Sequence, residues 1–326
     1  MDTKQFARYI LAFYATIFTS NGVLAAPTLP GPIVETKWLA TNQKNVTILS
    51  IRKDIKSFTL KPVYRKDKKS GKQKLIRVGG HIPGALLVNY KKIRVKRTVD
   101  GRTVTRLIPD KKTFEALMQK SGINKNTTLI IVSKGQHHGD ITMATRLYWQ
   151  LKYFGHKDVA ILNGGTAQWI LDGRPIVSNL NKIPAGNWVA GKTQDNILAT
   201  SKTVAKAIKA GKTQLLDTRS PAFFYGTYAK SYVFAKGHIR GAHSFPNELM
   251  TEAKMPARFL SSKQYQALNK KLGISNTKQT ITYCNSGHLA SGSWFIMSEI
   301  LGNKKAKLYD GSMHQWTLEK RPVIGL

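Results

Sequence analysis

One set of short motifs occurs twice in this chain, in the same order, and this repetition sets the strongest limit on its fold. The segment His-Ile-Pro-Gly-Ala at 81–85 returns as His-Ile-Arg-Gly-Ala at 238–242, an offset of 157 residues. The segment Asn-Gly-Gly-Thr-Ala-Gln-Trp at 163–169 returns as Asp-Gly-Ser-Met-His-Gln-Trp at 310–316, an offset of 147, and an Arg-Pro pair follows each copy. A nearly constant offset of this size indicates a duplicated domain.

The length of the chain fits two domains of ordinary size. The sequence has 326 residues, and 41% of them are hydrophobic, which is enough for two sizeable cores. The stretch 178–194 is rich in Asn, Pro, Gly and Lys, a composition typical of linkers. We therefore predict a first domain over 30–178 and a second domain over 195–326.

Within each copy, strand-like and helix-like segments alternate. In the second copy, strands are predicted at 213–217, 279–283 and 307–309, and helices at 203–210, 261–272, 293–301 and 313–318. This alternation predicts an α/β fold, in which each domain is a mostly parallel sheet flanked by helices on both faces. In such sheets, binding sites lie beyond the C-terminal ends of the strands.

The only cysteine of the chain, Cys284, lies at such a position. It follows the predicted strand 279–283 and precedes the predicted helix 293–301, with Gly287 in the loop between them. Backbone N–H groups and the positive end of a helix favour a thiolate, and glycine lets a short loop curl around one atom. We interpret Cys284 as a nucleophile. The alternative is a small buried apolar residue.

The first copy has no thiol at the corresponding position. Its strand-like run 129–132 aligns with the strand before Cys284, and Lys134 stands where the cysteine stands in the second copy. The first domain is therefore predicted to be inactive, and either to be structural or to shape the cleft. His137 and His138 are adjacent on a loop and point apart, so we predict no metal site there. No cofactor is expected.

The N-terminus has the features of a secretory signal peptide over residues 1–25. Lys4 and Arg8 precede a short apolar run at 9–18, and small residues lie before Ala26. The apolar run is shorter than the roughly 20 residues that span a bilayer. We predict an exported protein, periplasmic if bacterial. A single cysteine cannot form a disulfide within the chain.

The charge of the chain is strongly positive, with 52 Lys and Arg against 17 Asp and Glu and a formal net charge of +35. Such a field attracts small anions and polyanionic surfaces. In an exported chain we expect an anionic envelope surface or an acidic protein partner, and no nucleic acid. Two segments, 61–77 and 91–106, hold eight and seven of these cations, and Asp100-Gly101 predicts a β-hairpin in the second. Each segment is either solvated surface or a contact surface for a polyanion.

Taken together, these motifs resemble the rhodanese (sulfurtransferase) family in its tandem two-domain form. Each half has the family's order: a strand ending near Asp-x-Arg, the His-Ile-x-Gly-Ala segment, the active-site strand and loop, and a Gly and a Trp near the end. Asp-Thr-Arg at 217–219 matches the first of these, with Ser-Ile-Arg at 50–52 as its counterpart. The resemblance covers essentially the whole mature chain, and it implies that the second domain carries the catalytic cysteine.

The resemblance also implies that Cys284 accepts a sulfane sulfur as a persulfide and passes it to cyanide or a thiol. The implied donor is a small anion, thiosulfate or 3-mercaptopyruvate. Arg219 is a candidate for binding its anionic group, and the alternative is an internal ion pair, either with Asp217 or at the domain interface. The loop that follows the cysteine supplies five more candidate substrate-binding residues: Asn285, Ser286, Gly287, His288 and Leu289.

The sequence departs from the family's patterns in ways that leave the donor open. Asn285 stands where thiosulfate-using members typically have a basic residue, whereas Ser286 and Gly287 match the Gly-Ser-Gly of members that act on 3-mercaptopyruvate. Phe223 stands where those members tend to place a second arginine. His288 replaces a small residue, and it could add positive charge to the loop or bind the donor. The alternative is a solvated loop residue.

Two other classes of function compete with sulfur transfer. A cysteine phosphatase or arsenate reductase would carry an arginine six positions after the cysteine, and this position is Ala290. A non-catalytic protein with a degenerate rhodanese fold would bind an anionic partner or a membrane surface through its basic first domain. His238 is expected to be structural, because its motif also occurs in the half without the cysteine. Trp169 and Trp316 are expected to pack in the cores.

Overall fold

The structure is a computed structural model, and it describes residues 27–180 and 182–326. The predicted secretion signal, residues 1–25, lies outside the described residues. The described part forms two α/β domains, each built around a five-stranded parallel sheet, so the predicted fold class is confirmed. Within these ranges, no helix combines the length and the apolar character that crossing a membrane requires.

The first domain holds the first nine strands and four helices. In chain order they are β1 (Ile33–Val34), α1 (Thr36–Asn42), β2 (Thr47–Arg52), β3 (Val63–Lys66), β4 (Gln73–Arg77), β5 (Leu86–Asn89), β6 (Val95–Val99), β7 (Arg102–Leu107), α2 (Lys111–Lys120), β8 (Leu129–Val132), α3 (His138–Tyr153), β9 (Val159–Leu162) and α4 (Gly165–Leu171). The strand order of the sheet is β1-β9-β8-β2-β5, and β3–β4 and β6–β7 form separate antiparallel hairpins.

The second domain repeats this plan without the hairpins. Its elements are β10 (Leu198–Ala199), α5 (Ser201–Ala210), β11 (Gln214–Asp217), α6 (Pro221–Phe224), β12 (Ala242–Ser244), α7 (Ser262–Lys271), β13 (Thr280–Tyr283), α8 (Ala290–Phe295), β14 (Ala306–Tyr309) and α9 (Ser312–Leu318). The strand order is β10-β14-β13-β11-β12, which is the order of the first sheet in the equivalent strands.

Helices cover both faces of each sheet, because successive strand residues point into two different apolar layers. In the first domain, Leu49 packs into the layer that contains α2 and α3, and Ile48 packs into the layer that contains α1 and α4. In the second domain, Leu216 and Leu215 divide in the same way. All four side chains are buried, so the strands are continuous apolar runs.

Side-chain caps start several helices close to their predicted positions. Ser261 and Gln264 exchange a reciprocal pair of hydrogen bonds at the start of α7. Thr200 caps α5 by accepting from the N–H of Thr203. The helix after the cysteine differs from the prediction, because α8 begins at residue 290 and continues as a π-helical turn over Ile296–Ile300. Turns of this type are frequent at functional sites.

One hydrophobic cluster runs through both domains. Helix α3 packs against α8, and Leu147 and Tyr148 of the first domain share the cluster with Trp294 and Phe295 of the second. The ring of Tyr148 lies edge-on to that of Phe295, with 4.9 Å between their centroids. The domains are therefore joined by core packing as well as by the linker.

In each domain, one segment also donates a backbone hydrogen bond to the corresponding residue of the other domain. After the β6–β7 hairpin of the first domain, the N–H of Ile108 donates to Oδ2 of Asp310 at 2.7 Å. After strand β12 of the second domain, the N–H of Phe259 donates to Oδ1 of Asn163 at 3.0 Å. Asn163 and Asp310 are corresponding positions of the repeated motif, so the two domains make equivalent contacts with each other.

The two basic segments differ in their environment. The hairpin predicted at Asp100 and Gly101 is present as β6–β7, and both turn residues have positive φ. This hairpin packs on the second domain, where the N–H of Thr105 donates to Nε2 of His314 at 3.2 Å. One face of the hairpin thus contacts the second domain, while Lys96, Arg97 and Arg102 stay exposed to solvent. The segment 61–77 also forms a hairpin, β3–β4, whose strand residues are all exposed except Leu75.

Candidate active site

Cys284 lies directly after β13, at the C-terminal end of a strand in the middle of the second sheet, as predicted. Only 2% of the residue is exposed. The N–H of Ser286 points at Sγ, with 3.4 Å between nitrogen and sulfur. The sulfur is therefore held by its own loop, in the way expected of a positioned nucleophile.

Two residues give the cysteine loop its curled shape. Gly287 has a φ of 71°, and a Cβ at this position would come within 2.6 Å of Oδ1 of Asp310. Glycine is therefore required there both by the backbone conformation and by the space. Ser312, at the start of α9, accepts hydrogen bonds at Oγ from the N–H groups of Cys284 (3.1 Å) and Gly287 (3.0 Å).

Ser312 is a functional residue that sequence reasoning missed. Its φ is 51°, whereas its counterpart in the first domain is Gly165, with a φ of 57°. This conformation costs a residue other than glycine on the order of 1 kcal/mol. Serine is present in spite of that cost because its hydroxyl orders the cysteine loop. The signal was visible in the repeated motif, where glycine changes to serine only in the copy that has the cysteine.

A cavity of about 570 Å³ opens between the two domains at Cys284. Four residues of the predicted loop line it, namely Asn285, Ser286, His288 and Leu289. Its charged lining contains no acidic residue from the described part of the chain, but it contains five cationic residues: Lys53, Lys91, Arg94, Arg106 and Lys230. A cavity with this lining concentrates small anions.

Four of these five cations belong to the domain without the cysteine. Nη2 of Arg94 donates to both the carbonyl oxygen and Oγ of Ser286, each at 2.7 Å. The guanidinium of Arg106 lies 3.9 Å from the centroid of the Tyr232 ring, which fixes it beside the cavity. The first domain therefore shapes the cleft, which was one of its two predicted roles. Arg94 and Arg106 were not predicted as site residues, although both lie in the basic hairpin segment.

Arg219 does not line the cavity. Its side chain is buried, and Nε donates to Oδ1 of Asp217 at 2.9 Å. Its Nη2 donates to the carbonyl of Gly237 at 2.8 Å. Arg52 occupies the equivalent place in the first domain and donates to the equivalent carbonyl, that of Gly80, at 3.0 Å. The half without a cysteine has the same backbone contact, with Ser50 in place of the aspartate, so the structure favours a structural role for Arg219 over direct substrate binding.

The loop residues predicted to bind substrate have two different roles. Asn285, Ser286 and Leu289 line the cavity, and Oδ1 of Asn285 lies 3.5 Å from Nη1 of Arg219. Gly287 does not line the cavity, and its carbonyl accepts a hydrogen bond from the first domain's Arg146 at 3.1 Å. Gly287 therefore determines the shape of the loop.

His288 lines the cavity, and its surroundings disfavour the positive charge that was one of its expected roles. Its ring packs against Tyr90 with 4.9 Å between centroids, and Nε2 lies 3.0 Å from Oγ1 of Thr142. Loss of hydration, reinforced by the nearby cations Arg94 and Arg146, holds the pKa of His288 well below its ordinary value of 6.5. The imidazole is therefore neutral, and a role in binding the donor remains open to it.

The depressed pKa of His288 predicts a contribution to acid sensitivity. Below pH 6.5 the unfolded chain binds a proton at this histidine that the folded protein does not bind. The free energy of unfolding should therefore fall as the pH falls, by up to about 1.4 kcal/mol per pH unit for each such histidine. Urea titrations at several pH values between 6.5 and 5 give the free energy of unfolding as a function of pH. This free energy should depend less steeply on pH in His288→Asn than in wild type, by the equivalent of up to one bound proton. An unchanged slope would contradict the assignment.

The other repeated residues have structural roles in both halves, as predicted. The ring of His238 stacks on that of Phe224, and Nδ1 lies 2.9 Å from the Phe224 carbonyl. His81 makes the same two contacts in the first domain. Trp169 and Trp316 are buried in the cores. In the part of the chain that the structure describes, no group of three or more His, Cys, Asp or Glu could hold a metal ion.

The structure thus places a loop-held cysteine at the end of a parallel strand, where it faces a cationic cavity between two duplicated domains. Residues 35–172 and 200–319 each match the model of the rhodanese-like domain. The chain therefore belongs to the rhodanese-like family, and it is a two-domain sulfurtransferase of that family.

Relatives resemble the chain along most of its length. It is 33% identical over 249 residues to the sulfur carrier protein TtuD of Thermus thermophilus, an alignment that covers 73% of this chain and 82% of TtuD. The crystal structure of SseA from Escherichia coli, described as a 3-mercaptopyruvate sulfotransferase, matches with a TM-score of 0.68 and 24% identity, over 86% of this chain and 98% of SseA. The Tum1 protein of Saccharomyces cerevisiae matches with a TM-score of 0.70 and 17% identity, over 91% of this chain and 99% of Tum1. The two structural likenesses concern the fold.

Proposed function

We propose that this protein moves a sulfane sulfur from a small anionic donor to a thiophilic acceptor through a persulfide on Cys284. The observation that carries the proposal is the position of the chain's only cysteine, which lines a cavity whose charged residues are all cationic. The names of TtuD, a sulfur carrier protein, and of SseA, a 3-mercaptopyruvate sulfotransferase, support sulfur as the group that is moved.

In the first step, the Cys284 thiolate attacks the outer sulfur of the donor. With thiosulfate, a bond forms between the two sulfurs, the original sulfur–sulfur bond of the donor breaks, and its electron pair leaves with sulfite. With 3-mercaptopyruvate, the carbon–sulfur bond breaks, and its electron pair leaves on carbon as the enolate of pyruvate, which then takes up a proton. In the second step, cyanide or a thiolate attacks the terminal sulfur, and the Cys284 thiolate is restored.

The cysteine loop is suited to hold the persulfide. The terminal sulfur carries a negative charge, and it is stabilised by N–H donors and cations that are already in place before the reaction. The N–H of Ser286 faces the sulfur at 3.4 Å, and Arg94 fixes the Ser286 carbonyl and hydroxyl. Ser312 holds the loop from the other side. This arrangement needs no metal or organic cofactor.

The cavity supports either donor. Ser286 and Gly287 correspond to the pattern of family members that act on 3-mercaptopyruvate, whose second arginine is replaced here by Phe223. A cation is nevertheless present near that position, because Nζ of Lys230 lies 5.5 Å from the centroid of the Phe223 ring. Lys230 and Arg106 both line the cavity, and we propose that they bind the carboxylate or sulfonate end of the donor.

The exposed β3–β4 hairpin supports a second candidate function, in which the protein binds an anionic envelope surface or an acidic partner. Residues 61–77 hold eight Lys or Arg and one acid, and the strand residues other than Leu75 are exposed. Export, as predicted from residues 1–25, would bring this surface to the cell envelope. Such binding is compatible with sulfur transfer, and it would be the main function only if Cys284 took up no sulfur.

The intact mass of the reduced protein after incubation with each donor tests the proposal. We expect a gain of one sulfur atom with thiosulfate, with 3-mercaptopyruvate, or with both, and loss of that mass on addition of cyanide. The donor that loads faster identifies the donor class. No gain with either donor, in protein shown to be folded and reduced, would contradict a persulfide mechanism and favour the binding function.

A further inference from the structure

A second cavity, of about 600 Å³, lies beside the Cys284 cavity. The two cavities share Lys53, Lys91 and His288 in their linings, so these three side chains form the boundary between them. Each cavity is as large as an ordinary small-molecule site. A donor as small as thiosulfate needs only part of the first one, which leaves the second without a role in loading Cys284.

The far side of the second cavity is built by the loop that corresponds to the cysteine loop in the first domain. Lys134, which stands at the position of Cys284, lines this cavity, and Lys56 lines it from the segment after β2. The first domain's counterpart of the cysteine loop is therefore a wall of a cationic cavity that borders the active site.

The acidic residues of the second cavity are engaged by their own loops. Asp140 accepts a hydrogen bond from the N–H of Gln136 at 3.0 Å, and it lies 4.0 Å from Nζ of Lys134. Asp54 accepts from the N–H of Lys56 at 3.2 Å. Both carboxylates keep their negative charge, so the four lysines of the lining, Lys53, Lys56, Lys91 and Lys134, leave a surplus of two positive charges for a ligand. This lining favours a ligand that carries more than one anionic group.

We propose that the second cavity binds the acceptor, and that the acceptor is a thiol with carboxylate groups remote from its sulfur. This inference rests on the proposed function and names its acceptor class. The acceptor's carboxylates lie among the lysines, and its thiolate reaches past His288 to the terminal sulfur of the persulfide. A sulfur–sulfur bond forms to the acceptor, the bond within the Cys284 persulfide breaks, and the electron pair returns to Cys284 as the thiolate. The product is the persulfide of the acceptor.

Steady-state kinetics with three acceptors test the site, using full-length mature protein. The probes are glutathione, which carries two carboxylates, the uncharged 2-mercaptoethanol, and cyanide. In Lys56→Gln/Lys134→Gln, we expect the KM for glutathione to rise roughly five- to tenfold, because two partly exposed ion pairs are lost. The values for 2-mercaptoethanol and cyanide should change less than about twofold, since neither probe reaches these lysines. Lys206→Gln/Lys209→Gln, on the exposed face of α5 in the second domain, removes the same charge elsewhere and should leave all three unchanged.

Equal changes for all three acceptors, equal changes in the control variant, or no change for glutathione would each overturn the inference. Donor loading is followed separately by intact mass, so a failure of the proposed function is seen before any acceptor is added. S-methylglutathione, which cannot accept sulfur, tests the site independently of the reaction through equilibrium binding to the unloaded protein. Weaker binding to the Lys56/Lys134 variant than to the control variant supports the site, and equal binding rejects it.

Discussion

Replacement of Cys284 by serine is expected to reduce sulfur transfer by about 10³-fold or more, while the protein stays folded. The loss follows because a serine hydroxyl is not ionised at neutral pH and cannot carry the sulfane sulfur as a persulfide. The fold should survive, since serine is close to cysteine in size and can accept the Ser286 N–H in the same way. The measurement is thiocyanate formation with each donor, beside thermal unfolding of both proteins.

The result has a direct control in the intact mass. Cys284→Ser should gain no sulfur under conditions in which wild type is loaded, and its unfolding temperature should stay within a few degrees of wild type. Turnover comparable to wild type in a properly folded Cys284→Ser protein would rule out the persulfide mechanism.

Removal of the Arg146 guanidinium is expected to destabilise the protein by about 3–5 kcal/mol, because it leaves a buried carboxylate without its partner. Nη1 of Arg146, in the first domain, lies 2.6 Å from Oδ1 of Asp310 in the second, and both side chains are buried. The same nitrogen donates to the Gly287 carbonyl at 3.1 Å, so activity should fall as well. Urea denaturation of Arg146→Met measures the first effect, and adding Asp310→Asn should recover part of the lost stability.

The matched control is a second ion pair between the two domains. In this pair the arginine belongs to the second domain and the carboxylate to the first. Nη2 of Arg258 lies 2.9 Å from Oε2 of Glu35, and both groups are partly exposed to solvent. Arg258→Ala should therefore cost less than about 1 kcal/mol. If Arg146→Met were no more destabilising than Arg258→Ala, the buried pair would not be a major link between the domains.

The fold and the position of the nucleophile could be predicted because both depend on local patterns. Apolar strands alternating with helices indicate the layers, and the repeated motifs indicate the two domains. Cys284 could be recognised because the end of its strand and the start of its helix are close in sequence. The hairpin at Asp100 and Gly101 was predictable for the same reason, since its turn chemistry is local.

The cationic wall of the cavity could not be predicted, because it depends on how the domains pack. Arg94 contacts Ser286 across a sequence separation of 192 residues, and the packing of α3 on α8 brings the two together. The role of Arg219 was ambiguous for a related reason. A motif arginine beside an aspartate looks the same in sequence whether it faces a cavity or supports a loop. The two roles are distinguished by Arg52, which makes the equivalent contact with a backbone carbonyl in the domain that has no cysteine.

The hydrophobic cluster that passes from α3 to α8 also determines how the molecule loses its structure. If the second domain unfolded alone, the faces of Leu147 and Tyr148 would become exposed to water, at a cost of about 25 cal/mol for each Å² of apolar surface. A state with one domain folded is therefore disfavoured, and we expect the two halves to unfold cooperatively. The half that has no cysteine thus helps to set the lifetime of the reactive loop in the other half.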